Sequence, residues 1–194
     1  MRNITVIGLV VAVLLTFTAC DEKETPLVPP PGNTPAHVLR SLIYAFNNRD
    51  VETLDRALAD DFTFHFDPND VGNDMDGYII PDSWGRDDHL TACGNMFEQA
   101  YSIDFDVVYE TIGNPDDGAD EFDASKVQIR LLIMVDAMNG FLGQGPCNFK
   151  LVNESLDGNN NWVISDWWDY TAHHGTFESA APSSLGSILA GFAE

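Results

Sequence analysis

Apolar positions recur along this chain with two different periods, and the order of those periods predicts its architecture. Val38, Leu39, Leu42, Ile43 and Phe46 fall at helical spacing behind Thr34-Pro35, a capping hydroxyl followed by proline at the first helical position. Asn47-Asn48-Arg49-Asp50 ends this helix and caps a short second one, with Leu54 and Leu58 on one side. Period two follows. Phe62, Phe64 and Phe66 alternate with Thr63 and His65, which predicts a strand with one apolar face. Asp67 to Gly85 reads as a long acidic loop containing Pro68, Gly72, Gly77 and Pro81. Asp82 or Ser83 then caps a third helix, with Asp87 and Asp88 in its first turn and Leu90, Cys93 and Phe97 on its buried side. Four further strands are predicted. Their apolar sets are Ile103, Phe105, Val107 and Tyr109; Val127, Ile129, Leu131, Ile133 and Val135; Cys147, Phe149 and Leu151; and Trp162, Ile164, Trp168 and Tyr170, the last entered through an Asp157–Asn161 hairpin turn. Helix, helix, strand, helix and four strands make an α+β domain, with helices on one face of a mostly antiparallel sheet. Behind Ser183 or Ser184, helical spacing resumes at Leu185, Ile188, Leu189 and Phe192. That predicts a short C-terminal helix, marginal alone, which docks on the domain or on a partner subunit.

The ends of the chain have a different character. Met1-Arg2-Asn3 is short and positively charged, Ile4 to Phe17 is almost wholly apolar, and Thr18-Ala19 places small residues before Cys20. This is the layout of a secretory signal peptide, and its apolar run is shorter than the roughly 20 residues of a spanning helix. A cysteine directly after the cleavage position resembles the lipobox of bacterial lipoproteins, which implies lipidation of Cys20 and anchorage on the periplasmic or outer side of a membrane. Pro26, Pro29, Pro30, Pro31 and Gly32 read as an extended, unpacked tether. The expected organisation is therefore a signal at 1–19, a tether at 20–33, one domain at 34–172 and a tail with the short helix at 173–194.

Charge and cysteines narrow the classes. The formal net charge of the 194-residue chain is −22, which excludes nucleic acid as a partner and repels anionic head groups. Of the three cysteines, Cys93 and Cys147 remain after Cys20, and both fall on inward faces. In an exported protein they form either a disulfide between a helix and a strand or two separate buried thiols. No neighbouring cation activates either one.

The stretches Val38–Asp50, Leu58–Phe64 and Trp162–Asp169 resemble, in this order, the nuclear-transport-factor-2-like superfamily, which includes ketosteroid isomerases and SnoaL-like cyclases. The resemblance covers roughly residues 36–170. It implies a cone-like curved sheet packed with three N-terminal helices around an apolar pocket, often with homodimerisation through the sheet. These patterns carry the fold and no catalytic signature, so function does not follow from them.

Candidate chemistry is sparse. A pocket enzyme of this kind needs an inward acid or base, for which the candidates are His65, His89 and Asp169. Alternation with Phe64 and Phe66 points His65 outward. Trp84 and His89 flank the start of the third helix beside the acidic loop, where they either line a ligand entrance or pack the loop and face solvent, respectively. On the last strand, Trp168 is expected in the core, with Trp167 and Asp169 on the other face. Phe64, Trp84 and Trp167 are the candidate ligand contacts. Metal patterns are incomplete: Val71 interrupts the calcium-type spacing that starts at Asp67, Tyr78 stands where its glutamate belongs, and His173-His174 has no partner spacing for zinc. No cofactor is implied. The sequence supports a binding module for an apolar small molecule or a protein partner, with a pocket enzyme of isomerase, dehydratase or cyclase type as the alternative.

Overall fold

The computed structural model describes residues 28–75, 77–109, 115, 119–155, 159–170 and 184–193. Helix α1 (Pro35–Asn48) starts at Thr34, whose hydroxyl accepts from His37 N, and ends where Arg49 adopts a left-handed φ of 56°. Val38, Leu39, Leu42 and Phe46 form its buried stripe, as the spacing predicts. Helix α2 (Val51–Arg56) is capped by Asp50, which accepts from both the backbone N and the hydroxyl of Thr53. Leu58 lies beyond this helix and opens strand β1 (Leu58–His65).

The expected acidic loop is more structured than its composition suggests. Strands β2 (Asp74–Met75) and β3 (Tyr78–Ile79) form a small ladder of their own. Strand β4 (Ser83–Gly85) pairs antiparallel with β1, so Asp82 and Ser83 do not cap the third helix. Helix α3 (Arg86–Gln99) begins after Gly85 without a side-chain cap, with Asp87 and Asp88 in its first turn. Strands β5 (Ser102–Val108), β6 (Glu121–Met134), β7 (Gly140–Asn153) and β8 (Trp162–Asp169) complete a six-stranded sheet in the order β4-β1-β8-β7-β6-β5. Among the described residues only the β1–β8 pair is parallel. Irregularities in register on β1, β6 and β8 curl the sheet around α1 and α3, since an extra residue in one strand bends and twists the pair.

One of these bulges corrects the phase expected for the last strand. Leu151 pairs with Ile164, but Lys150 pairs with Asp166, so Ser165 is the extra residue. Period two therefore slips by one at this point. Trp162 and Ile164 face inward before the bulge, and Trp167 and Asp169 face inward after it. Trp168 is pushed to the outer face, the reverse of the alternation read from sequence.

The core runs continuously from α1 to the sheet. Phe46 stacks on Phe105 at 4.4 Å and meets Phe97 edge-on at 5.4 Å. Asn47, read as a helix-ending residue, has a second role. Its amide donates to Phe105 O at 2.8 Å and accepts from Phe105 N at 2.7 Å, supplying the edge strand β5 with a side-chain neighbour.

The end of the tether is packed. Gly32 O accepts from Trp162 N at 2.7 Å, and Ser41 Oγ donates to Pro30 O at 3.3 Å. Helix α4 (Leu185–Ala190) is capped by Ser184, which accepts from Ser187 N, and its residues are buried against the domain.

Candidate functional site

Three elements converge on one aromatic interior. Strand β1 contributes Phe62 and Phe64, with Phe66 just beyond it; β8 contributes Trp167 and Asp169; α3 contributes His89. The sequence places His89 either at a ligand entrance or exposed on the helix; in the structure it is fully buried instead. It belongs to the stripe His89, Ala92, Cys93, Met96 and Phe97, which is the i, i+3, i+4 face of α3. The His89 ring stacks on Phe64 at 5.0 Å and lies 5.1 Å from Phe62 and 5.7 Å from Trp167. Trp167 also meets Phe64 at 5.6 Å and Phe149 at 4.8 Å. Trp84 closes one side, 4.7 Å from Phe66, with its Nε1 donating to Tyr78 Oη at 2.7 Å.

Burial sets the protonation of the polar groups. His89 is pushed down to about 3, because an imidazolium would be stripped of water among aromatic rings, so the imidazole is neutral at physiological pH. Its Nε2 lies 3.7 Å from Cys93 Sγ, while Nδ1 has no hydrogen-bond partner among the described residues. Trp167 Nε1 is likewise buried and unpaired. Asp169, 1% exposed, is pushed up to about 7. Burial is the largest cause; the Gly186 N–H and Ser184 oppose it, and the charges of Asp70 and Asp67 add to it. Gly186 N donates to Asp169 Oδ2 at 2.7 Å, and Ser184 Oγ donates to Asp70 Oδ2. A carboxyl that titrates near neutrality in a dry site is suited to taking or giving a proton, or to accepting a ligand's donor. In the present conformation the accessible side of that carboxyl is covered by α4.

Cys93 and Cys147 are both buried free thiols, so the disulfide alternative is not found. Cys93 is directed along α3 toward His89, and Cys147 sits across the β7–β8 ladder from Asp169. Burial raises both thiol pKa values, which keeps them protonated and unreactive.

The remaining candidates lie elsewhere. His65 faces outward, as its alternation predicts; its ring stacks on Trp168 at 4.9 Å and its Nε2 lies 3.0 Å from Asp166 Oδ1. Asp67 Oδ1 accepts from Asn69 N at 2.7 Å and so organises its own turn. No group of three or more metal-binding side chains is present among the described residues. Nor is any helix among them long and apolar enough to cross a membrane. Cys20, His173 and His174 lie outside the described residues. A pocket of about 270 Å³, lined by Pro29–Gly32, Val38, Arg56 and Trp162, separates the packed tether from α1 and α2. Sequence reasoning missed the inward position of Asp169 because nothing in Ser165-Asp166 announces a bulge. His89 was readable, since it stands four residues before Cys93 and eight before Phe97.

The sequence matches no family model and no curated protein. Solved structures do match the fold. A conserved protein from Planctomyces limnophilus superposes with a TM-score of 0.54 at 14% identity, over 71% of this chain and 92% of that one. A candidate scytalone dehydratase from Novosphingobium aromaticivorans gives 0.51 at 12% identity, over 78% and 90%. A nuclear-transport-factor-2-like protein of unknown function from Rhodospirillum rubrum gives 0.47 at 16% identity, over 71% and 97%. With two helices ahead of β1, a third between β4 and β5, and a curled, mostly antiparallel sheet in which β1 runs parallel to β8, the chain has the nuclear-transport-factor-2-like fold.

Proposed function

We propose that this protein is an exported lipoprotein, anchored through Cys20, whose domain binds a small apolar molecule inside the cone. The carrying observation is the aromatic interior around two unpaired buried nitrogens, His89 Nδ1 and Trp167 Nε1. Buried polar atoms are nearly always hydrogen-bonded, and leaving one unmade costs roughly 1–3 kcal/mol. An oxygen-bearing guest held among Phe62, Phe64 and Trp167 would satisfy them. The reading of the N-terminus rests on the order basic start, apolar run, small residues and cysteine. The test is calorimetric titration of the full chain with p-cresol, paired with NMR of its aromatic side chains. Saturable one-to-one binding is expected, with shifts centred on Phe64, His89 and Trp167. Unsaturable binding, or shifts spread over the outer face around His65 and Trp168, would refute it.

A second reading has its own support. Asp169, held near a pKa of 7, fits a general acid or base, and the candidate scytalone dehydratase from Novosphingobium shares the fold. In that reading the pocket catalyses dehydration or isomerisation next to a carbonyl. Turnover of a β-hydroxy ketone that falls by about 10²–10⁴ in Asp169→Asn would establish it; turnover unchanged in that variant would exclude Asp169 as the catalyst.

A further inference from the structure

Helix α4 is docked in a way that a separate ligand could reproduce. Its most intimate contact is main chain. Gly186 lies so close to the aromatic floor that a Cβ there would come within 2.7 Å of Phe66 Cδ1 and 3.2 Å of Phe64 Cε1. From this position the Gly186 N–H donates to the buried carboxyl of Asp169 at 2.7 Å. Beside that donor Leu185, Ile188 and Leu189 are buried, and Ile188 fits over Gly143, where a Cβ would clash at 2.9 Å; polar contacts stand at the two ends, where Ser184 Oγ donates to Asp70 and Phe192 O accepts from Asn95 Nδ2 at 2.9 Å. A six-residue helix containing glycine has little stability of its own, so docking alone holds it. With α4 seated, His89 Nδ1 and Trp167 Nε1 are buried without a partner among the described residues.

We propose that α4 is the resident occupant of the domain's ligand site, and that the ligand which displaces it presents one O–H or N–H donor to Asp169 from the end of an apolar body. This rests on the binding reading above and adds what the ligand must carry and what it must move. The donor takes the place of the Gly186 N–H, and the body takes the place of Leu185 and Leu189. A purely apolar molecule of the same shape leaves the Asp169 carboxyl without a donor and fails to compete.

Hydrogen–deuterium exchange of the full chain tests this with p-cresol, 4-methylbenzylamine and p-xylene, which share a shape and differ in the donor and its charge. Either donor-bearing probe is expected to speed exchange of residues 184–193 and to slow exchange around Phe64–Phe66, while p-xylene does neither. Gly186→Val, which cannot seat on Phe66, should exchange freely at α4 without ligand. It should also bind the donor probes at least tenfold more tightly, because a competing occupant has been removed. Leu189→Ala, which loosens the helix without touching the floor, should shift in the same direction. Binding of p-cresol to the unaltered chain with α4 still protected, and no gain in either variant, would overturn this inference and leave the binding reading standing. No binding by any form would sink both.

Discussion

His89 and Asp169 are buried in the same interior, and their titrations pull stability in opposite directions. Asp169 titrates near 7 in the folded chain and near 3.9 unfolded. Its contribution is complete below the unfolded value and is lost as pH rises through the folded one. His89 titrates near 3 folded and near 6.5 unfolded. Its contribution is present above 6.5 and is lost as pH falls toward 3. Between about pH 4 and 6.5 the two slopes, each about 1.4 kcal/mol per pH unit, cancel. Asp169→Asn is therefore expected to lose stability as pH falls through this window, while His89→Leu gains it. Urea midpoints at pH 4.5, 5.5 and 6.5 check the pair; parallel profiles would contradict it. The two residues were not equally legible beforehand. The position of His89 follows from helical spacing, a property of its own segment. The position of Asp169 depends on a slip against β7 that its own segment does not encode.

Elements follow their local signals where those signals are self-contained. Helix α1 starts at Thr34-Pro35 and turns off at Arg49 as the sequence predicts, and β5, β7 and the Val127–Ile133 part of β6 alternate as expected, whereas Val135 lies past β6 and is exposed. Departures occur where one element borrows from another. Strand β4 is extended because β1 needs a partner along Thr63–His65, and that pairing overrides the capping chemistry of Asp82 and Ser83. Asn47 looked like a helix-ending residue, yet its amide pairs both backbone groups of Phe105. Asn47→Ala should cost about 1–3 kcal/mol in chemical denaturation, since two half-buried backbone groups lose their partner. Loss of the Asp50 cap in Asp50→Ala should cost about 1 kcal/mol in the same measurement. A cost below about 0.3 kcal/mol for Asn47→Ala would mean that water replaces the amide and that the clamp is incidental.

At the scale of the molecule, the N-terminal segment and the domain are chemically distinct. The N-terminal pattern predicts that the full chain sediments with membranes and carries a lipid mass on its first mature residue. Cys20→Ser should release it to the soluble fraction without changing the fold, measured by fractionation and circular dichroism. The formal charge of the chain is −22, and on the outer faces of the described domain Arg130 pairs with Asp104 and Lys150 with Glu121. By itself the sequence determined the class of the fold, the order of its helices and its five long strands, the outward orientation of His65 and the burial of both domain cysteines. Each of these is written in the periodicity of a single segment. Only the tertiary structure decided that Asp169 faces the core, that the two thiols stay apart and that the C-terminal helix seats its backbone on Phe64 and Phe66. These depend on register between strands and on space between segments distant in sequence, and no local pattern carries that information.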